Sequence, residues 1–288
     1  MGSIIWYVLN RTYKLWPDAL WLRVLYRTKL HRSLNLKNPQ RFTEKLQWLK
    51  LHDRNPLYSQ LVDKYEVKQY VEEKLGQEYL IPTLGVWNHF DEIDFDALPD
   101  QFVLKCTHDS GGLCICKDKS LFDKRSAKEK LERSLSNNFY WWTREWPYKN
   151  VKPRIIAEKY MVDESGMELK DYKFFCFNGE PRYVQLDFDR FIDHKRNIFN
   201  AKWELQDVEI QFPSDHSRFT ERPANLDEML TVARKLAGGF PHVRVDLYNI
   251  QGSVFFGELT FYHGGGFEEF RPQMWDNVFG DLLKLPEY

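Results

Sequence analysis

The sequence predicts an α+β protein built on antiparallel hairpins, and three observations carry that expectation. Strand pairs are written around turn-forming residues at 102–117 and 242–260, and further strands crowd the chain after residue 154. Helical spacing is confined to the first 75 residues, to 120–145 and to 226–237.

In chain order, the first 42 residues are basic: Arg11, Lys14, Arg23, Arg27, Lys29, Arg32, Lys37 and Arg41 stand against Asp18. Trp6, Tyr7, Trp16, Trp21 and Tyr26 are interleaved with them. Asp18 after Pro17 reads as the N-cap of a helix from Ala19 to about Leu30. A basic, aromatic helix can lie on an anionic membrane surface, or pack on its own domain with its cations solvated. Thr43–Leu49 and Leu61–Leu75 continue the helical pattern, the second opening near Asp63-Lys64 and closing at Gly76. Leu80–Trp87 has the character of a short strand with a proline edge.

Phe102–Thr107 and Leu113–Lys117 read as a hairpin about Asp109-Ser110-Gly111-Gly112, and 120–145 returns to helix. Ile155–Met161, Asp171–Phe177 and Arg182–Leu186 are successive strands, the last two joined through Asn178-Gly179. Leu226–Ala237 is a helix, followed by a hairpin of His242–Tyr248 and Ser253–Thr260.

Composition narrows the function classes. Apolar residues at 43% and aromatics at 16% over 288 residues describe a globular chain with a sizeable core. A net charge of −1 gives no reason to expect nucleic acid as the main partner. No apolar run approaches the roughly 18–20 residues of a membrane span. The opening Met1-Gly2-Ser3-Ile4-Ile5-Trp6 lacks the charged region of a secretory signal and the Ser or Thr of a myristoylation site. Cys106, Cys114, Cys116 and Cys176 are few for the length and suit a reduced, cytoplasmic setting.

The late hairpin is the most informative segment. Strand alternation sets Arg244 and Asp246 on one face, with Phe256, Glu258 and Thr260 sharing a face of the returning strand. Asp246 and Glu258 become diagonal neighbours, which repel unless a cation sits between them; Mg²⁺ bridging nucleotide phosphates is a natural occupant. Arg244 beside them suits a transferring phosphoryl group or an oxyanion. In the early hairpin Lys105 faces away from the core, under a loop small enough for its N–H groups to approach phosphate. Two competing readings use other residues. Cys106, His108, Cys114 and Cys116 offer zinc ligands, though without the usual Cys-x₂₋₄-Cys spacing. Asp187-Phe188-Asp189 matches the Asp-x-Asp of nucleotide-sugar glycosyltransferases, though no nucleotide-binding βαβ unit precedes it.

Taken in order, Asp63-Lys64, Phe102-Val103-Leu104-Lys105 with its glycine loop, Ile156–Met161, Arg244-Val245-Asp246 and Gly257-Glu258-Leu259-Thr260 resemble the ATP-grasp superfamily. The wording around Asp171-Tyr172-Lys173-Phe174 and Thr260–Gly266 is similar to its TupA-like branch, associated with teichuronopeptide and other cell-surface polysaccharides. The resemblance spans about residues 40–288. It implies an ATP-grasp fold in which two subdomains with antiparallel sheets clamp a nucleotide: residues 61–150 and 151–288, after a helical segment 1–60. It further implies ATP and Mg²⁺ as cofactors and a carboxylate–amine ligase that works through an acyl phosphate. Lys105, with Lys64, would bind phosphates beneath Asp109, Ser110, Gly111 and Gly112; Glu158, Lys159, Tyr160 and Met161 would read adenine. Lys173 would lie near the γ-phosphate or the substrate, Arg244 would steady the intermediates, and Asp246, Glu258 and Thr260 would hold the metal. Thr260 replaces the amide that many ATP-grasp ligases carry, and the usual preceding Rossmann-like domain is missing.

The polar, aromatic stretch Leu186–Phe212, with Asp187, Asp189, Arg190, His194, Lys195, Arg196 and Trp203, is either a recognition segment for a sugar or amino acid or a charged surface loop. His263, Gly264 and Gly265 join it as substrate contacts. The expected substrates are a sugar acid and an amino compound, at a cytoplasmic or peripheral membrane location. A phosphotransferase on the same fold, a glycosyltransferase using Asp187 and Asp189, and a non-catalytic glycan-binding module are the alternatives.

Overall fold

The computed structural model describes residues 11–163, 169–189, 192–218 and 220–287. Helices α1 (Asp18–Leu30), α2 (Phe42–His52), α3 (Leu57–Leu61) and α4 (Val67–Leu75) precede the first strand. Strands β1 (Thr83–Trp87), β2 (Phe102–Cys106), β3 (Leu113–Cys116) and β4 (Ile155–Lys159) form an antiparallel sheet in the order β1-β4-β2-β3. Its inward residues Phe102, Leu104 and Cys106 pack with Ala127 and Leu131 of α5 (Lys124–Leu135). The short α6 (Tyr140–Thr143) follows α5, so the helix expected over 120–145 is two. β4 stands between β1 and β2, although the sequence reading assigned it to the C-terminal subdomain.

The second sheet holds β5 (Asp171–Phe177), β6 (Glu180–Phe188), β7 (Lys195–Asn200), β9 (His242–Ile250) and β10 (Ser253–Thr260), in the order β10-β9-β5-β6-β7. β8 (Glu209–Ile210) pairs separately with β11 (Phe270–Arg271). Phe174 through Phe177 are consecutive and all buried, which requires cover on both faces of the sheet. Phe42 of α2 and Phe279 of α8 (Met274–Leu282) pack by their rings on Phe175 and Phe177. α7 (Leu226–Ala237), within the bounds its spacing predicts, packs on β5, β6 and β9. The hairpins turn where expected: Asn178-Gly179 and Gln251-Gly252 all have positive φ, the conformation a two-residue turn between twisted strands demands.

Several local expectations are corrected. Asp18 is not an N-cap but the first helical residue, its carboxylate engaged by the Tyr140 hydroxyl at 2.8 Å and Arg144 Nε at 3.0 Å. The helix expected over 61–75 is interrupted, because Asp63 Oδ1 accepts from the backbone of Tyr65 and Glu66 and so starts α4 afresh. Leu80–Pro82 precede β1, and β4 ends at Lys159 rather than Met161. Residues 195–200, expected within a recognition segment or a charged surface loop, are β7; the buried side chains of Arg196 and Asn197 hide its alternation.

Candidate active site

The sheets face each other across a cleft with a polar chamber of about 270 Å³. Lys64, Lys68, Lys105 and Glu158 line it from the N-terminal side, and Asp171, Lys173, Asp246, Tyr248 and Glu258 from the second sheet. An adjoining chamber of about 570 Å³ shares Lys105, Leu113, Glu158, Asp171 and Tyr248, then continues over Val103, Ile115, Tyr160, Met161 and Leu169. The first compartment is rich in charge, and the second adds apolar side chains between further charges such as Lys117, Lys170 and Asp189. That division suits a ligand with an anionic tail and a flat, hydrophobic head.

On the first sheet, alternation places Lys105 opposite the core, and its Nζ donates to Glu158 Oε2 at 2.7 Å. Lys68, in the first turn of α4, reaches the other oxygen of the same carboxylate at 2.5 Å. Burial works against the Glu158 charge, but Lys105 and then Lys68 outweigh it and hold the carboxyl below its ordinary range. The loop after β2 is pinned from two sides. Lys64 Nζ donates to the Asp109 carbonyl, and Ser134 Oγ donates to the Asp109 carboxylate. Gly112 is required: a Cβ there would lie 2.6 Å from Cys106 Sγ. A Cβ at Gly111 would meet only Asp109 Oδ2, at an ordinary 3.9 Å, and Gly111 does not line the chamber.

On the second sheet a β-bulge at Gly257 shifts the register so that Glu258 stands directly opposite Asp246, not diagonally, while Phe256 turns into the core. Lys173 flanks Asp246 on its other side. The cation between the acids is Arg244, whose Nε and Nη2 grip both Asp246 oxygens at 2.6 and 2.7 Å. Nη2 also reaches Glu258 Oε1 at 2.9 Å and Thr260 Oγ1 at 3.1 Å. Burial pushes the Asp246 carboxyl up to about 6 against the pull of Arg244 and Lys173. Burial likewise opposes ionisation of Glu258, yet Arg244 and Lys64 hold it below its ordinary value. Lys64 belongs to the opposite wall, so the cleft is coupled electrostatically across its width.

The sequence from residue 44 to 284 matches the family described as TupA-like ATPgrasp. The chain belongs to the TupA-like ATP-grasp family. No curated protein matches it. Among solved structures it is similar to the ATP-grasp ligase PsnB complexed with minimal precursor: 10% identity, 76% of this chain and 58% of that one, TM-score 0.40. D-alanine–D-alanine ligase from Bacillus anthracis gives 19% identity, 70% and 57% coverage and a TM-score of 0.38. The Helicobacter pylori counterpart gives 14%, 84% and 69% coverage and 0.42. The chain spans less than two thirds of the length of the first two. These likenesses are slight, and the assignment rests on the sequence match.

For this member of the ATP-grasp family, the structure gathers Lys64, Lys105, Asp109, Ser110, Gly112, Glu158, Lys173, Asp246 and Glu258 around one chamber, and Lys159, Tyr160 and Met161 around the next. The Glu158 side chain serves two lysines, leaving the segment after it to face the second chamber. Other candidates lie elsewhere. Asp187 borders the second chamber, but Arg196, His194 and Lys173 occupy its carboxylate at 2.7, 2.9 and 3.4 Å. Burial notwithstanding, Arg196 and Lys173 hold that carboxyl far below its ordinary range. Asp189 pairs with Arg218 at 2.6 Å, a different cation from the Arg196 and Lys173 beside Asp187. Arg196, His263, Gly264 and Gly265 line neither chamber. Trp203 stacks on Phe199 and Lys195 pairs with Asp193. Arg190 lies outside the described residues.

The zinc reading finds no support: Cys106 and Cys116 are core residues, and His108 Nε2 lies 3.1 Å from the Ser134 carbonyl. Among the described residues no three His, Cys, Asp or Glu side chains are grouped to hold a metal ion. Sequence reasoning missed Lys68, whose i,i+4 spacing from Lys64 was the available signal. It also missed Lys50, fully buried, whose Nζ donates to the Thr143 and Gly265 carbonyls at 2.8 and 2.6 Å and fixes the glycine turn after His263.

Proposed function

We propose that the chain is an ATP-dependent carboxylate–amine ligase that forms an amide and releases ADP and phosphate. One observation carries the reading: lysines of the N-terminal half and a paired Asp246–Glu258 on the second sheet line a single chamber, with a larger compartment that includes Val103, Ile115, Tyr160 and Met161 beside it. Four lysines and five carboxylates line that chamber. A triphosphate adding roughly four negative charges needs further positive charge, which a divalent ion supplies. Asp246 and Glu258 are hard oxygen donors and fit Mg²⁺; Glu258 Oε2 has no hydrogen bond among the described residues. Mg²⁺ bound there would supply charge neutralisation on phosphate oxygens, with Thr260 supporting Glu258 at 3.4 Å.

Lys105 and Lys64 would hold the phosphates, the loop Asp109–Gly112 would cover them, and Lys159, Tyr160 and Met161 would seat the base. Lys173 would face the transferring phosphoryl group. A substrate carboxylate oxygen takes that group and ADP leaves. An amine then attacks the acyl carbon, phosphate departs, and the amine loses a proton. Arg244 would stabilise the negative charge that develops on the acyl oxygen. The substrates would be a sugar acid and an amino compound of a cell-surface polysaccharide, a choice supported by the resemblance of residues 171–174 and 260–266 to the TupA-like branch.

The test is product analysis of the purified chain with MgATP. ADP and phosphate should form only when both an acid and an amine from the set of uronic and amino acids are supplied, and chelating Mg²⁺ should abolish turnover. A phosphorylated acid released without any amine would instead identify a phosphotransferase.

We infer also that α1 rests on anionic lipid. Its outward face carries Leu20, Arg23 and Arg27, and the preceding turn exposes Lys14 and Leu15. Asp18 is drawn inward by Arg144 and Tyr140. Among the described residues no helix is long and apolar enough to cross a membrane, so contact would be peripheral. Flotation with anionic vesicles should fall when Arg23 and Arg27 become Glu; equal flotation with neutral vesicles would sink the idea.

A further inference from the structure

We propose that His263 and Glu268 are positioning residues that lock the Arg244 guanidinium, and that Arg196 and Asp187 carry the same restraint on to Lys173. The reading rests on Arg244 serving the proposed ligase chemistry, but its geometric part stands apart from that chemistry.

A path of close contacts joins the two cations. Arg244 Nη1 lies 2.9 Å from His263 Nδ1. His263 Nε2 lies 2.7 Å from Glu268 Oε2, and the same oxygen is 2.9 Å from Arg196 Nη1. Arg196 Nε donates to Asp187 Oδ1 at 2.7 Å, and Asp187 Oδ2 is 3.4 Å from Lys173 Nζ. Charge alternates along the path apart from one neutral ring, and its two ends are the cations beside Asp246. Asp187, Arg196, His263 and Arg244 are all less than a tenth exposed.

The imidazole is the informative member. A guanidinium has only donors, so a contact with His263 Nδ1 is attractive only if that nitrogen carries a lone pair. The proton must then be on Nε2, the atom facing Glu268. The negative charge of Glu268, 2.7 Å from Nε2 though outside hydrogen-bond angle, favours the tautomer that lets the ring accept from Arg244, as an orienting carboxylate does for a histidine. A doubly protonated ring would turn an N–H toward Arg244. Burial disfavours that form, although Glu268 pulls the other way. With Asp246 gripping Nε and Nη2, and His263 meeting Nη1, all three guanidinium nitrogens have fixed partners. Such an array changes little as charge develops next to it, which is where preorganisation contributes most.

Long-range proton–nitrogen spectra of the full chain at pH 7 test the geometric part, with His263→Phe identifying the signals. The expected result is an unprotonated Nδ1 and a protonated Nε2, retained in Glu268→Gln and lost to a tautomer mixture in Glu268→Ala. A protonated Nδ1 in the wild type, or no response to Glu268→Ala, would overturn the proposal. For the catalytic part, wild type and variants should bind MgADP within about twofold of one another. Turnover of the acid and amine pair found by product analysis should fall at least about tenfold in His263→Phe and Glu268→Ala, with Glu268→Gln within about threefold of wild type. Unchanged turnover in both would confine His263 and Glu268 to a structural role. Failure of the wild type to bind MgADP would instead remove the ligase reading, while the imidazole spectra still decide the tautomer.

Discussion

The two walls of the cleft hold charge in different ways. On the first wall Lys105 of β2 and Lys68 of α4 share Glu158, and the outer face of β3 leaves Leu113 and Ile115 40% and 51% exposed. The first sheet rests on a small core closed mainly by α5. The second sheet is covered on both faces, and its Arg244, Asp246, Lys173 and Asp187 are buried among one another. The contrast separates two ways of handling an anion. Long lysines on a thin wall can follow a ligand as it settles. A buried array cannot follow, and so suits charge that arises at one fixed place.

Substitutions at Arg244 and Lys105 would break that comparison most directly. Arg244→Lys keeps the charge but loses the fork that grips both Asp246 oxygens, so turnover at saturating substrate should fall roughly 10²–10³-fold. Lys105→Ala leaves Glu158 paired with Lys68, and should mainly weaken MgATP binding, by about tenfold. Steady-state ADP release across MgATP concentrations separates the two. Equal losses in turnover would show that the walls do not divide the work.

The bulge at Gly257 offers a smaller, structural test. A Cβ there would lie 3.0 Å from the Asp246 carbonyl and 3.2 Å from the Tyr248 ring. Gly257→Ala should therefore cost about 1–3 kcal/mol, read from the denaturant midpoint, and should also raise the Mg²⁺ concentration needed for turnover. Lost stability with unchanged Mg²⁺ dependence would mean that the register of Glu258 is irrelevant to the metal.

Much of this contrast was legible in the chain. Both site hairpins, α7 and the faces of Lys105, Arg244 and Asp246 follow from alternation and turn residues, because those signals are local. The bulge was not legible: an extra residue in a strand breaks the count on which facing is judged, and the sequence reading put Phe256 beside Glu258. β7 escaped because two of its four buried residues, Arg196 and Asn197, are polar, their burial made tolerable by partners far along the chain such as Glu268 for Arg196. The His263–Glu268 contact is five residues apart, yet its meaning depends on Arg244, nineteen residues away from His263. Local patterns place an element, but they do not say which buried charges will answer one another.

The smallest effect near neutral pH should come from His242, and it lies on the second sheet alone. Its ring is buried beside Phe42 and Phe177, and its Nδ1 donates to the Cys176 carbonyl at 2.9 Å. Burial, with His263 and Arg244 nearby, lowers its pKa from 6.5 to about 3. The unfolded chain therefore takes up a proton that the folded chain refuses. Stability from this group is complete above about pH 6.5 and declines as pH falls toward 3. Glu268, held down to about 2 against its burial by His263 and Arg196, extends the loss below pH 4. Asp246, raised to about 6, works in the opposite sense between roughly pH 6 and 4 and blunts the slope. His242→Phe should melt lower at pH 7, since the Cys176 carbonyl loses its partner, but its melting temperature should change less than that of the wild type between pH 6.5 and 4.5. Parallel curves for the two proteins would place the acid sensitivity elsewhere, with Glu158 of the first sheet the next residue to examine.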